Sequence, residues 1–267
     1  MAGCWRTIGG DGTANVTLRA FLAGRVTFEH DGQIIDEGSL PGLQGRLLLA
    51  MLAAERERPL SREALAEELW SGGPPAAWEA ALRAVISKLR GCLVRVGLDR
   101  NALAGEFGGY QMHLPPDAWV DLEAAADSLH RAETLARAEK IEDACGWALA
   151  ARAIASRPLL PGAEGQWVAR RRARLRDLHL RSLDVLANVW VRRGEPVLAM
   201  GDTEEALRLE PFRESTYRTL MRAHTEAGNR AEALRVYQRC RTLLSDELGI
   251  DPSPETEALY LEILRSA

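Results

Sequence analysis

Displaced by 34 residues, the carboxy-terminal part of this chain falls on itself, and few architectures carry such a period. Leu183 superposes on Tyr217, Leu186 on Leu220, Trp190 on His224, Gly194 on Gly228, Ala199 on Ala233, and Ala206 on Cys240. The first three pairs recur at helical spacing and define the inward face of one helix. Gly194 and Gly228 follow where that helix must turn, a place for a left-handed residue. Ala199 and Ala233 then allow a returning helix to approach closely, with Ala206 and Cys240 as its second packing point. Pro211 ends the first repeat. A third pair is expected upstream, as helices over Leu122–Ala138 and Ile141–Ala155 with small residues at Ala144, Ala148 and Ala151. A single helix pair cannot bury its apolar face alone, so about three such pairs make a stable stack.

This pattern resembles the tetratricopeptide repeat, whose stacked pairs present a concave surface to a peptide or partner domain. Nothing beside it points to catalysis. His30, His113, His130, His179 and His224 share no motif, and the phosphate-loop, H-E-x-x-H and G-x-S-x-G patterns are absent. The glycine cluster Gly9 to Gly12 precedes a strand, whereas a dinucleotide loop follows one. The chain is therefore expected to be no enzyme and to need no cofactor or metal.

The amino-terminal half has a different grammar. Short strands are predicted at Val16–Phe21, Arg25–Phe28 and Gln33–Ile35, with a turn at His30-Asp-Gly32. Three helices follow. The first, Leu43–Ala54, carries Leu47, Leu48, Met51 and Leu52 on one face. Ser61 is an N-cap for the second, Arg62–Trp70, and Ser71-Gly-Gly-Pro-Pro75 breaks the chain. The third runs from Ala76 to Val96 with Leu82, Ile86, Leu89 and Leu93 inward. Ala102–Ala104, Phe107-Gly108-Gly109 and Tyr110–Leu114 make a closing hairpin. This order resembles the winged helix-turn-helix of OmpR-type response regulators, with the third helix for the major groove and the hairpin as wing. Glu79, Arg83, Ser87 and Arg90 share the polar stripe of that helix, beside Lys88.

The formal net charge is −4, so no global field draws the chain to a polyanion. Any nucleic-acid contact must rest on a local patch, and Arg83–Arg100, with five basic residues against Asp99, is that patch in the first half. A second basic run, Arg170-Arg-Arg172, Arg174, Arg176 and Arg181, lies on a long helix beginning near Gln166. No apolar run reaches the roughly 20 residues of a membrane helix. Met1–Asn15 does not read as a secretory signal and is expected to be a flexible terminus. Cys4, Cys92, Cys145 and Cys240 are scattered, which suits a reducing, cytoplasmic setting.

Both halves together resemble a bacterial transcriptional activator of the SARP (Streptomyces antibiotic regulatory protein) type, an OmpR-like winged helix joined to a bacterial transcriptional activator domain (BTAD). The resemblance runs from Val16 to the end. It is carried by Gln44-Gly-Arg46, Leu65-Ala-Glu-Glu-Leu-Trp70, Ile86-Ser-Lys-Leu-Arg90, Gly108-Gly-Tyr110 and Trp119-Val-Asp-Leu122. In the second half it is carried by Pro211-Phe-Arg-Glu214, Leu220-Met221, Ala227-Gly228, Glu232-Ala-Leu234 and, most specifically, Leu248-Gly-Ile-Asp-Pro-Ser-Pro254 before a final helix over Glu255–Leu264.

The resemblance implies a mainly α fold with a small β component: a flexible 1–15, a winged helix over 16–117 and a repeat domain over 118–267. It implies promoter DNA and RNA polymerase, through its sigma or alpha subunit, as partners, with a homodimer on direct repeats. It is to the small stand-alone form, without an ATPase or forkhead-associated extension. Arg83, Ser87, Lys88 and Arg90 are the expected DNA contacts, with Gln44 and Arg46 reaching the backbone and Arg170 and Arg174 meeting a partner. Two departures stand out. Where the family opens its reading helix with an Arg-Asn-Thr type of sequence, this chain has Glu79, Ala80 and Ala81. Where related wings carry arginine, it has Glu106, Phe107 and Gln111. The alternative they leave open is an adaptor or co-regulator whose winged helix no longer holds DNA alone.

Overall fold

The structure, a computed structural model, describes residues 18–266. The expected flexible terminus, Cys4 and the first two residues of the strand predicted from Val16 lie outside the described residues. The chain divides into two compact units: Met1–Ala126 with Ile154–Leu175, and Asp127–Ala153 with Arg176–Ala267. Mainly helical with small sheets, it has the fold class expected from sequence.

In the first unit β1 (Leu18–Phe21), β2 (Thr27–His30) and β3 (Gln33–Ile35) form an antiparallel meander. Alternation buries Leu18, Ala20, Phe28 and Ile35 on one face. Asp31 and Gly32 both take positive φ, 47° and 79°, in the two-residue turn that matches strand twist. β2 starts two residues later than predicted, because the Val26 N–H donates to Glu37 Oε1 at 3.1 Å and not to the ladder. β7 (Trp119–Val120) pairs parallel to β1 and completes the order β3-β2-β1-β7. It runs into α4 (Asp121–Arg137). Asp121, fully buried, accepts from the N–H groups of Leu22 at 2.9 Å and Ala23 at 3.0 Å, tying the end of β1 to this junction.

α1 (Gly42–Ala54) is buried along nearly its whole length from Leu47 to Ala53, the central helix of the unit. The Ser61 hydroxyl caps α2 (Arg62–Leu69) by accepting from Ala64 N–H at 3.1 Å, as its sequence predicts. α3 (Trp78–Arg95) buries Leu82, Ile86, Leu89 and Leu93. It starts later than expected, since Ala76 and Ala77 belong to a turn in which Trp78 N–H bonds to the Pro75 carbonyl. The closing hairpin is β5 (Leu103–Glu106) and β6 (Gly109–Met112), with Ala102 in a preceding 3-10 turn capped by Asp99. β4 (Leu60–Ser61), not foreseen, pairs with β6 and makes the order β4-β6-β5. A Cβ on Gly109 would lie 2.0 Å from the Leu60 carbonyl oxygen, so only glycine permits this approach.

The first turns of α6 (Gln166–Arg192) belong to the same unit and are held there by two carboxylates. Glu68 of α2 accepts from the Trp167 N–H at 2.7 Å, satisfying an orphan donor of the helix start. Glu55, just past α1, accepts from Trp167 Nε1 at 2.9 Å and from Arg171.

The second unit holds the remainder of α4 and α6, most of α5 (Ile141–Ala155), and α7 (Pro196–Leu209), α8 (Glu214–Glu226), α9 (Arg230–Leu248) and α10 (Pro254–Arg265). The turns within the three helix pairs α4–α5, α6–α7 and α8–α9 are alike. Glu139, Gly194 and Gly228 take φ of 58°, 71° and 74°. In each, the next N–H returns to a carbonyl five residues back: Lys140 to Leu135, Glu195 to Trp190, Asn229 to His224. This is the Schellman closure that the repeat glycines predict. Leu183, Leu186, Leu220, Ala199, Ala233, Ala206 and Cys240 are buried, as are Ala144, Ala148 and Ala151 of the third pair. Leu259 and Ile263 of α10 close the last core against Tyr217, Leu220 and Tyr237.

Candidate nucleic-acid interface

The face of α3 opposite its apolar stripe is open to solvent. Glu79, Ala80, Arg83, Ala84, Ser87, Lys88, Gly91, Val94 and Arg95 are exposed along it. Small residues occupy its centre, and charges occupy its edges. Arg83 pairs with Glu79 at 3.4 Å, both side chains more than half exposed. A pair of this kind is worth about 0.3–0.5 kcal/mol, so a phosphate readily displaces it. Ser87 and Lys88 point to solvent, and Lys88 has no ion-pair partner among the described residues. Arg95 reaches back to the Ser39 carbonyl at 3.4 Å and Cys92 Sγ at 3.2 Å.

Other expected contacts are placed differently. Arg90 Nε donates to the Leu103 carbonyl at 2.8 Å, and its guanidinium lies 6.0 Å from the Tyr110 ring centroid. It therefore fastens the β5–β6 hairpin to α3. Arg46 pairs with Glu37 at 3.1 Å, on the carboxylate whose other oxygen holds Val26. Gln44 is half-buried. The structure thus separates Arg83, Ser87 and Lys88 as outward-facing from Arg90 and Arg46 as internal fasteners. Sequence spacing puts Arg90 on the polar stripe and carries no sign of the hairpin that claims it.

The hairpin itself carries no arginine or lysine. Its Glu106 pairs with His113 at 3.0 Å, and Gln111 donates to the Arg56 carbonyl at 2.9 Å. Phe107 stands at the tip, 93% exposed.

The arginine run of α6 sorts in the same way. Arg171 is taken by Glu55, Arg172 by the carbonyls of Leu159, Leu160 and Ala163, Arg176 by the Leu209 carbonyl, and Arg181 by Glu133. Arg170 and Arg174 are exposed, one turn apart, with no ion-pair partner among the described residues. Among those residues no helix is long and apolar enough to cross a membrane.

Set against known proteins, the helical part decides the family. The bacterial transcriptional activator domain matches residues 120–264. The chain belongs to that family. It is 32% identical over 256 residues to the regulatory protein AfsR of Streptomyces coelicolor, covering 93% of this chain and 24% of AfsR. It is 29% identical over 258 residues to the transcriptional regulatory protein EmbR of Mycobacterium tuberculosis, covering 96% of this chain and 66% of EmbR. Transcriptional regulator RedD of Streptomyces coelicolor is 26% identical over 231 residues, 82% of this chain and 63% of RedD. The solved structure of Mycobacterium tuberculosis EmbR in complex with a low-affinity phosphopeptide superposes with a TM-score of 0.82 at 29% identity, covering 93% of this chain and 65% of that one. The chain thus spans under two thirds of that EmbR chain and about a quarter of AfsR. These likenesses bear out the SARP-type resemblance and extend across the amino-terminal half as well as the BTAD.

Proposed function

We propose that this BTAD-family chain is a DNA-binding transcriptional activator that acts by binding and not by catalysis. In this reading α3 enters the major groove, with Arg83, Ser87 and Lys88 toward the DNA and Arg90 holding the hairpin beside it. Arg170 and Arg174 meet an acidic partner surface, as on the sigma or alpha subunit of RNA polymerase. Protomers lie side by side on direct repeats, and the setting is cytoplasmic.

The observation that carries the reading is the outward set Arg83 and Lys88 on an otherwise well-packed helix, in a fold shared with EmbR across both halves. A net charge of −4 provides no general attraction, so binding depends on these few phosphate contacts and falls steeply with salt. Fluorescence anisotropy with duplexes from the region upstream of its own gene, at two salt concentrations, tests it. Specific binding that weakens with salt and is lost in Arg83→Ala supports the proposal. No specific binding at micromolar protein, with and without RNA polymerase, rejects it. The exposed Ala80 and Ala84 and the Glu79 carboxylate favour a second reading, in which the repeats work as an adaptor and the winged helix no longer grips DNA alone.

A further inference from the structure

The two hairpins of the first unit have the same turn with different occupants. Asp31-Gly32 and Phe107-Gly108 each place both residues at positive φ, 47° and 79° in one and 46° and 79° in the other. Aspartate and glycine suit that geometry, whereas a bulky aromatic at its first position is a genuine outlier. Phe107 is also 93% exposed, more than any other large apolar side chain among the described residues. Strain and full hydration act in the same direction, so nothing inside the fold accounts for phenylalanine there.

The tip is presented on a stiff base. Gly109 packs directly on the Leu60 carbonyl, Gln111 bonds to Arg56, Glu106 and His113 pair across the hairpin, and Arg90 ties β5 to α3. Little order is left to be imposed on the tip when it meets a surface. That surface has a sign. The neighbouring α3 turns Arg83 and Lys88 outward, charges that suit a polyanion on this side of the unit. The hairpin brings no cation to it and brings an aromatic ring.

We propose that Phe107 is an apolar wedge, inserted from the minor groove between two base pairs next to the site held by α3 and partly unstacking that step. The inference rests on the DNA reading above and deepens it. The small residues at the centre of the α3 face leave few side chains long enough for base edges. Discrimination then comes in part from how easily a step opens, and pyrimidine–purine steps open most easily.

The test uses the full chain, a duplex selected by the wild type from a randomised library, and copies of it carrying 2-aminopurine at successive steps. Wild-type binding is expected to raise 2-aminopurine fluorescence at one step, and the library is expected to enrich TA or CA there. Phe107→Gly is expected to fold at least as stably, because glycine relieves the turn, yet to bind roughly tenfold or more weakly. It is also expected to lose the fluorescence rise. Phe107→Trp is expected to keep both. Wild-type binding with the Phe107→Gly affinity and fluorescence unchanged overturns the wedge and leaves the DNA reading standing. A change confined to self-association of the free protein overturns it too and assigns the ring to a second copy. Failure of the wild type to select any duplex overturns both.

Discussion

Glu214, at the start of α8, accepts hydrogen bonds from both the backbone N–H of Ser253 at 2.8 Å and its hydroxyl at 2.7 Å. The two segments that most strongly carry the family resemblance, Pro211–Glu214 and Leu248–Pro254, therefore meet. Ser253 stands at the N-cap of α10 with no hydroxyl bond to a backbone N–H of that helix; its hydroxyl meets Thr256 Oγ1 at 3.0 Å and donates to the carboxylate of another helix, which orders the turn. Arg218 completes the group by donating to Thr256 Oγ1 at 2.9 Å. Burial pushes the Glu214 carboxyl up, but the hydrogen bonds from Thr256 and Ser253 more than reverse this and hold it below its ordinary value. A depressed folded pKa contributes stability that is present above the unfolded value of 4.5 and lost as pH falls through the folded one. Glu214→Gln is expected to lower the thermal midpoint at pH 7, by about 1–3 kcal/mol in stability. The gap from wild type is expected to narrow toward pH 3, and a constant gap would contradict this assignment.

Asp121 behaves in the opposite sense. Burial raises its carboxyl to about 6, against the N–H groups of Leu22, Ala23 and Leu122 that favour the anion. For a raised carboxyl the native state binds the extra proton, so the contribution is full below the unfolded 3.8 and lost as pH rises through about 6. The difference is on the order of 3 kcal/mol. Urea titrations at pH 5 and 7 are expected to show roughly half of this loss in the wild type and its absence in Asp121→Asn.

Arg152 of α5 bridges Asp202 at 2.7 Å and Glu205 on α7, while Trp190 donates to the other Asp202 oxygen at 2.8 Å. Asp202 is buried and its pKa is raised by that burial, with Arg152 opposing. Removing the arginine strands a buried charge, which costs about 3–5 kcal/mol for a fully buried pair. Arg152 is itself 32% exposed, so the low end, about 3 kcal/mol, is expected for Arg152→Met. Adding Asp202→Asn is expected to recover part of the loss, and a double-mutant cycle measures the coupling.

The three Schellman turns give a paired prediction. Gly194 and Gly228 have open space around them, so alanine there meets no neighbour and suffers only from its positive φ. Each Gly→Ala change is expected to destabilise by about 1 kcal/mol, and Glu139→Gly to stabilise by a similar amount. Thermal unfolding of the three variants decides it.

Lys88 and Arg46 separate binding from folding. Lys88→Ala is expected to leave stability within about 0.5 kcal/mol and to reduce the salt slope of DNA binding by about one. Arg46→Ala breaks the bond to Glu37 and is expected to lower stability, with any change in affinity following from that. Equal effects of the two on the salt slope would show that Arg46 also reaches the DNA.

The legible part of this molecule was periodic or local. Helix faces repeat every three or four residues, and the turns at Asp31-Gly32, Gly194 and Gly228 are written in neighbouring residues. Ser61 caps its own helix. For these the interacting groups lie within one turn of each other, so spacing is enough. The strand at Leu60–Ser61 and the fastening of Arg90 to Leu103 were not legible, because their partners belong to segments whose approach no short window encodes.

Composition and period by themselves determined a repeat-bearing, mainly helical chain with one basic stretch beside a hairpin. Only tertiary structure decided which cations face outward. Arg170, Arg171, Arg172 and Arg174 look alike in sequence, yet Glu55 takes Arg171 and the carbonyls of Leu159, Leu160 and Ala163 take Arg172, while Arg170 and Arg174 have no ion-pair partner among the described residues. The reason is physical: an arginine's availability depends on an acceptor brought within about 3 Å by folding, and that acceptor can lie a hundred residues away.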